Sequence, residues 1–216
     1  MAWKSYYGGR FEILKCGLIG ESYLYDINSA HSFAIIQIPD LPKGKWIKRK
    51  SIHKDAKIGF FKIRAKIPDC KYIPPFPFRS KSDILFPSGE FETYCTLAEL
   101  QACEGMNFYR ILEGYQFIPD LDIYPYREFI ENLYQKRLKL KEQNNPLQLP
   151  IKIILNSIYG KTGQSVNHKM GNLFNPVIFA FILVFVVLNC MILCVNMILK
   201  KMWCSLPLIL SVQPRN

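Results

Sequence analysis

Lys152, Asn156 and Tyr159 recur at i, i+4 and i+7, which puts an ammonium, a carboxamide and a phenol on one stripe of a helix. Such a stripe can hold a triphosphate and stack a base. Pro150 just upstream suits the first turn of a helix, where no backbone N–H is needed. Gly160 stands where a helix end wants a left-handed residue, and Ile153, Ile154 and Leu155 give the turn an apolar side. The same spacing also describes an amphipathic helix whose polar residues merely face water. A second pair of cations, Arg137 and Lys141, is spaced i, i+4, and by itself it is equally an exposed basic helix face.

The elements that must position these groups are legible around them. Tyr126 to Gln143 reads as a helix: Pro125 starts it, and Phe129, Ile130, Leu133, Tyr134 and Leu138 form its apolar face. Asn144-Asn145-Pro146 is a turn into the helix that carries Lys152, so the two helices should run antiparallel. Phe60 to Ile67, Ile84 to Phe86, Glu90 to Tyr94 and Phe108 to Phe117 read as strands, with Pro87-Ser88-Gly89 as a turn. Thr96 and Glu99 have capping-box spacing, which starts a short helix running to about Gly105. Nearer the N-terminus, Phe11 to Leu14 and Ser22 to Ile27 read as strands, and Gly8-Gly9 as a tight turn or a close approach of backbone to a ligand. Residues 41–75 are rich in Lys and Arg, interleaved with Trp46, Phe60 and Phe61. That mixture suits a nucleic-acid surface or a Lys-coated strand edge.

The run Lys-Ile-Ile-Leu-Asn-Ser-Ile-Tyr-Gly at 152–160, followed by Lys161-Thr162-Gly163, resembles the fingers motif K-x-x-x-N-S-x-Y-G of family B DNA polymerases. Upstream, Tyr25-Asp26-Ile27-Asn28-Ser29-Ala30 resembles the palm motif that carries a metal-binding Asp. Tyr6-Tyr7-Gly8-Gly9 is similar to the Y-x-G-G element that precedes the palm in protein-primed, virus- or plasmid-like members. The resemblance keeps the family's order from Tyr6 to about Ile178. It implies an α+β fold: an antiparallel β-rich partial palm over 1–120, a helical-hairpin fingers subdomain over 121–165, and a return to the palm over 166–178.

The resemblance further implies template-directed nucleotidyl transfer from dNTPs in DNA replication. Asp26 and the Ile27 carbonyl would then hold Mg²⁺, a hard cation that takes oxygen ligands. Arg137, Lys141 and Lys152 would cradle the triphosphate, with Asn156, Tyr159 and His31 completing the nucleotide site. Tyr6, Gly8, Gly9 and Arg10 would meet DNA. His31 departs from the pattern, since the family has there a Tyr that stacks under the incoming sugar and excludes a 2′-hydroxyl; Ser32 replaces the Pro that follows. Two-metal catalysis holds its ions about 4 Å apart and needs at least two palm carboxylates. No Asp or Glu follows Gly160, so this chain is expected to be inactive alone. No thumb or exonuclease segment is recognised. Expected partners are a DNA template-primer, dNTP, and a terminal protein or a companion polymerase chain.

Net charge is +11, from 28 Lys and Arg against 17 Asp and Glu, which favours a polyanionic partner such as nucleic acid or an anionic membrane. The seven cysteines are odd in number and form no C-x-x-C pair, so they read as reduced thiols of an intracellular protein. The N-terminus carries no secretory signal.

Residues 179–216 change character. Val177 to Leu199 is an uncharged run of 23 residues followed by Lys200-Lys201, long enough to span a bilayer. One account is a membrane anchor, which makes the chain a basic tail-anchored protein without enzymatic function. Another is a frameshift. Taking the third base of each codon with the first two of the next, Met191-Ile192 and Met197-Ile198 each force an Asp codon. Cys204 through Ser211 then permit Phe-Ala-Ala-Thr-Asp-Ser-Ile, which looks like the family motif bearing the missing Asp. A non-catalytic DNA- or nucleotide-binding module is a further alternative.

Overall fold

Ile58–Ile67 (β2) buries Phe61, Ile63, Ala65 and Ile67 on one side and exposes Arg64 and Lys66 on the other, the period of two that a half-covered strand requires. The computed structural model describes residues 1–10, 16–18, 26–69, 74–81, 83–167 and 169–201; the side chains of 166 and 192–201 lie outside that description. In it β2 sits inside a four-stranded antiparallel sheet of order β1-β6-β2-β5, with β1 Gly44–Lys48, β5 Gly89–Thr96 and β6 Tyr109–Pro119. Two short hairpins flank it: β3 Phe78–Arg79 with β4 Ile84–Leu85, and β7 Ser165–Val166 with β8 Lys169–Met170.

One face of the sheet is closed by α2, Leu97–Ala102. Leu97, Leu100 and Cys103 pack there with Phe61, Ile63, Ala65 and Phe76. The capping box expected at its start is present: the Thr96 hydroxyl accepts from the Glu99 amide at 3.5 Å, and the Glu99 carboxylate accepts from the Thr96 amide at 2.7 Å. The helix ends at Ala102, three residues before the expected Gly105, which has φ +78 and lies in the following turn. Phe61 is wholly buried, and a Cβ added at Gly114 would fall 2.4 Å from its ring. Gly114 is therefore the gap into which Phe61 fits. On the other face Ile58, Phe60 and Phe117 meet Ala180, and a 3-10 turn over Ala2–Ser5 covers the edge of that cluster. Further along the same face Lys62 and Arg64 pair with Glu92 at 2.8 and 2.9 Å. Both pairs are solvated and contribute little to stability.

The helical layer is built from α1 Ala30–Ile35, α3 Arg127–Glu142, α4 Gln148–Thr162 and α5 Pro176–Lys201. Ala34, Ile35, Ile38, Ile130, Ile151, Leu155, Ile178, Ile182, Val186 and Cys190 make one core among them. Asn144 takes φ 51 in the turn that reverses α3 into α4, a left-handed conformation that Asn tolerates.

Pro150 lies in the first turn of α4, as its third residue, where its missing N–H is tolerated because those donors lack an intrahelical acceptor. One expected helix end is corrected. Gly160 does not end α4, which continues to Thr162 with Gly163 as its C-cap at φ −109. The residues expected as strands at 11–14 and 22–25 lie outside the described residues, and Asp26 and Ile27 are in neither strand nor helix. The six-residue α1 and the edge strand β1 were not expected from the sequence.

α5 begins at Pro176 and runs through position 179 without a break. Ile178, Ile182, Val186 and Cys190 lie at i, i+4, i+8 and i+12 and fill the core, so one stripe of its first four turns faces protein. Among the described residues no helix is long and apolar enough to cross a membrane.

Candidate functional site

The end of the Tyr25–Ala30 motif meets both helices of the hairpin. Ser29 adopts φ 54 and caps α1, which turns its side chain toward α3, where the Arg137 Nη1 donates to Ser29 Oγ at 3.3 Å. The Arg137 Nε is buried and has no hydrogen-bond partner among the described residues. A guanidinium held half-buried with one donor unused is costly unless an anion arrives. Counting from Asn145 in the turn, Arg137 and Lys152 stand eight and seven residues away, so in an antiparallel hairpin they lie at about the same height. Lys152 is half-buried, whereas Lys141 and Asn156 are exposed.

His31, in the first turn of α1, stacks on Tyr159 of α4 with centroids 4.3 Å apart and planes at 28°. Tyr159 stacks in turn on Phe179 at 5.4 Å, and Phe179 meets Tyr6 at 4.8 Å. Burial raises the Tyr159 phenol to about 12, with the nearby Tyr6 adding to the effect. Burial lowers the His31 imidazole below its ordinary value, so the ring is neutral at pH 7. The stack is thus a neutral aromatic wall beside the Arg137 guanidinium, the pairing a base and a phosphate would need.

The Tyr6–Arg10 segment is fixed from the sheet side. The Tyr7 hydroxyl shares a hydrogen bond with Thr93 Oγ1 at 3.0 Å, and burial raises its pKa. Arg79 lies over the Tyr7 ring at 5.0 Å and donates to the Tyr6 carbonyl. Gly8 takes φ +77, and a Cβ there would be strained whatever the space. Arg10 lies 3.4 Å from the centroid of Phe86. Of the four candidates for DNA contact, Gly9 alone is exposed; Tyr6, Gly8 and Arg10 are half-buried. Their side chains are engaged within the protein, so the turn presents mainly backbone.

Asp26 is exposed and Ile27 half-buried. Among the described residues no group of three or more His, Cys, Asp or Glu side chains could hold a metal ion. One carboxylate and one carbonyl do not make the ligand set of a metal pair.

The site therefore brings together His31, Tyr159 and Arg137, joins Tyr6 to them through Phe179, and leaves Asp26, Lys141 and Asn156 in solvent. Sequence reasoning missed Ser29, Arg79, Thr93 and Phe179 as supports. Ser29 lay within a quoted motif; the other three carry no local signal, because their partners are 73 to 86 residues away in the case of Arg79 and Thr93.

Comparison with known proteins bears on the family and the fold. A DNA polymerase of Acidianus bottle-shaped virus (isolate Italy/Pozzuoli) is 27% identical over 183 residues, covering 77% of this chain and 28% of that protein. Two solved structures of Phi29 DNA polymerase share the fold. The complex with primer-template DNA and incoming nucleotide gives a TM-score of 0.63 at 18% identity, covering 89% of this chain and 40% of the other. The binary complex with primer-template DNA gives 0.56 at 16% identity, covering 78% and 34%. The chain thus spans well under half the length of these relatives. The sequence profile of the family DNA polymerase type B, organellar and viral, matches residues 2–172, and the chain belongs to that family.

Proposed function

We propose that this chain is the palm and fingers part of a template-directed DNA polymerase, binding a deoxynucleoside triphosphate between α1 and the α3–α4 hairpin. The observation that carries the reading is the buried, unpartnered Nε of Arg137 beside Ser29 and the His31–Tyr159 stack. Arg137 offers a planar fork to phosphate oxygens, and Lys152 and Lys141 add point charges. The stack bounds the base and sugar. Gly8 and Gly9 allow template backbone to approach closely. Asp26 and the Ile27 carbonyl are oxygen donors of the kind a hard cation such as Mg²⁺ takes, and they would supply only part of its ligand set. The second carboxylate is absent from this sequence after Gly160, so the isolated chain binds nucleotide and does not extend a primer unless a companion chain provides it. A terminal protein is the primer type that the protein-primed resemblance suggests. Buried Cys95 and Cys103, which form no disulfide among the described residues, suit a reducing, intracellular setting.

Titration of dNTP into wild type and Lys152→Ala tests the cradle. A loss of about 1–3 kcal/mol is expected for one charged hydrogen bond, and equal affinities would remove Lys152 from it. Primer extension with Mg²⁺ tests the inactivity: none is expected, and any extension abolished by Asp26→Ala would mean that an acidic residue before Gly160 does the second job.

A further inference from the structure

On the sheet face that carries Phe60 and Phe117, beside Val177 of α5, lies a groove of about 490 Å³, within the roughly 300–1,000 Å³ typical of ligand clefts. Its lining includes Trp46, Phe60, Tyr94 and Tyr115, with Lys4 and Glu113 at the rim. The strand register explains why these rings share a face. Trp46 is opposite Phe117, while Tyr115 is opposite both Lys48 and Phe60. Trp46 is 42% and Tyr115 37% exposed, large for rings that have core neighbours available. Trp46 is backed on its inner side by Phe60, at 6.3 Å and 18°, and by Phe117 at 5.4 Å. One face of the indole is therefore held rigid while part of the ring stays open to solvent.

Cations outnumber acids along the edge of this face. Residues 43–57, which form the edge strand β1 and the loop after it, carry seven Lys or Arg against Asp55 alone. Glu113, the acid at the groove's rim, is paired with Lys48. Lys4 and Lys48 sit 5.1 and 5.3 Å from the centroids of Tyr94 and Tyr115, so cations flank the ring faces. Buried-backed aromatic rings interleaved with cations are the elements that bind unpaired bases and track a phosphate backbone. We propose that this groove is a second nucleic-acid site, taking a single strand by stacking an unpaired base on Trp46 while Lys4 and Lys48, which flank the neighbouring rings, meet its phosphates. The inference does not use the nucleotide cradle, and neither Lys152 nor Arg137 takes part in it.

The test is fluorescence anisotropy of the full chain with a labelled oligo(dT) of about 16 nucleotides, the upper site size for such platforms, at several salt concentrations. Trp46→Ala should weaken binding about tenfold, Trp46→Phe should restore most of it, and a duplex of equal length should be indifferent to either. Lys4→Glu combined with Lys48→Glu should flatten the salt dependence by about 1.4 in log–log slope, roughly 0.7 for each phosphate no longer neutralised. Those two side chains are exposed, so this variant reads the site even if Trp46→Ala fails to fold. Unchanged oligo(dT) affinity in folded Trp46→Ala, or an unchanged salt slope in the double charge variant, overturns the proposal. So does self-association that Trp46→Ala abolishes without touching oligo(dT) affinity, which would give the groove to a second copy of the chain. Failure of the Lys152→Ala titration would leave this result standing, and failure here would leave the cradle standing.

Discussion

Arg137 makes a prediction in which stability and binding move apart. Arg137→Met keeps chain length and helix propensity but deletes the guanidinium. In the free protein two effects oppose each other. The lost hydrogen bond to Ser29, long at 3.3 Å, costs about 1.5 kcal/mol as a charged bond. Removing the buried Nε that has no partner among the described residues regains about 1–3 kcal/mol. The balance lies between a loss of about 0.5 and a gain of about 1.5 kcal/mol. At about 2–4 °C per kcal/mol for a chain of this size, the Tm should fall by no more than about 2 °C or rise by up to about 6 °C.

Triphosphate binding should respond in the opposite direction. A guanidinium–phosphate contact contributes about 1.5–3 kcal/mol, so Arg137→Met should lose about 10–150-fold in dNTP affinity. Arg137→Lys should fall between, since an ammonium keeps the charge and loses the planar fork. The assays are differential scanning calorimetry of the free chain and isothermal titration with dNTP. A drop of more than about 10 °C in Tm with unchanged affinity would make Arg137 a structural residue and refute the reasoning.

The Glu99 carboxyl is raised from its ordinary 4.5 to about 7, chiefly by burial and despite its bonds to Thr96 and the charge of Arg10. Folding therefore takes up a proton between those values, and stability should fall by up to about 3 kcal/mol from pH 4.5 to 7; Tm against pH for Glu99→Gln should be flatter, and a parallel curve would show Glu99 ionised throughout. Phe61→Ala should cost about 3–5 kcal/mol in urea denaturation, because the ring is wholly buried beside Gly114; a loss under about 1 kcal/mol would mean that the sheet recloses over the gap. His31→Tyr should lower affinity for a ribonucleotide relative to its deoxy counterpart in competition titration, and an unchanged ratio would remove position 31 from sugar selection. Sequencing the gene should reveal an Asp codon in the shifted frame across Leu208-Ile209; stop codons in that frame before codon 211 would leave a membrane anchor as the better account of the tail.

Local chemistry was legible in this sequence, and distant pairing was not. Thr96 and Glu99 announced α2 because a capping box needs residues only three apart, and the bonds are there. Arg127–Glu142 and Gln148–Thr162 followed from periodicity and from Asn144-Asn145-Pro146 between them. Gly160 misled because a glycine that ends many helices can also continue one, and nothing lies within 4 Å of its missing Cβ to demand it. The insertion of β6 between β1 and β2 rests on pairs such as Trp46 with Phe117, seventy-one residues apart, for which no local pattern speaks. In the site, the motifs named His31, Tyr159 and Arg137; what joins them, the Ser29 bond and the Phe179 ring, appears only when α1, α3, α4 and α5 close on each other.

Phe179 shows how closely the apolar tail and the site are bound together. It is the first residue of the stretch whose composition departs from the family, yet its ring lies between Tyr159 and Tyr6. A Cβ added at Gly163 would fall 2.3 Å from that ring, so the C-cap of α4 is shaped to receive it. Ile182, Val186 and Cys190 continue the same stripe into the core. A helix apolar on all sides needs cover on all sides, and over its first turns α5 has protein on most of them, since Ala180, Leu183 and Val184 are buried as well. Phe181, Phe185 and Leu188 are half-buried, which leaves a second stripe to be covered by lipid, by another chain, or by nothing. The first four turns of α5 thus serve the core under either account of the tail. The difference between a membrane anchor and a frameshifted palm helix is decided on the stripe that the core does not use.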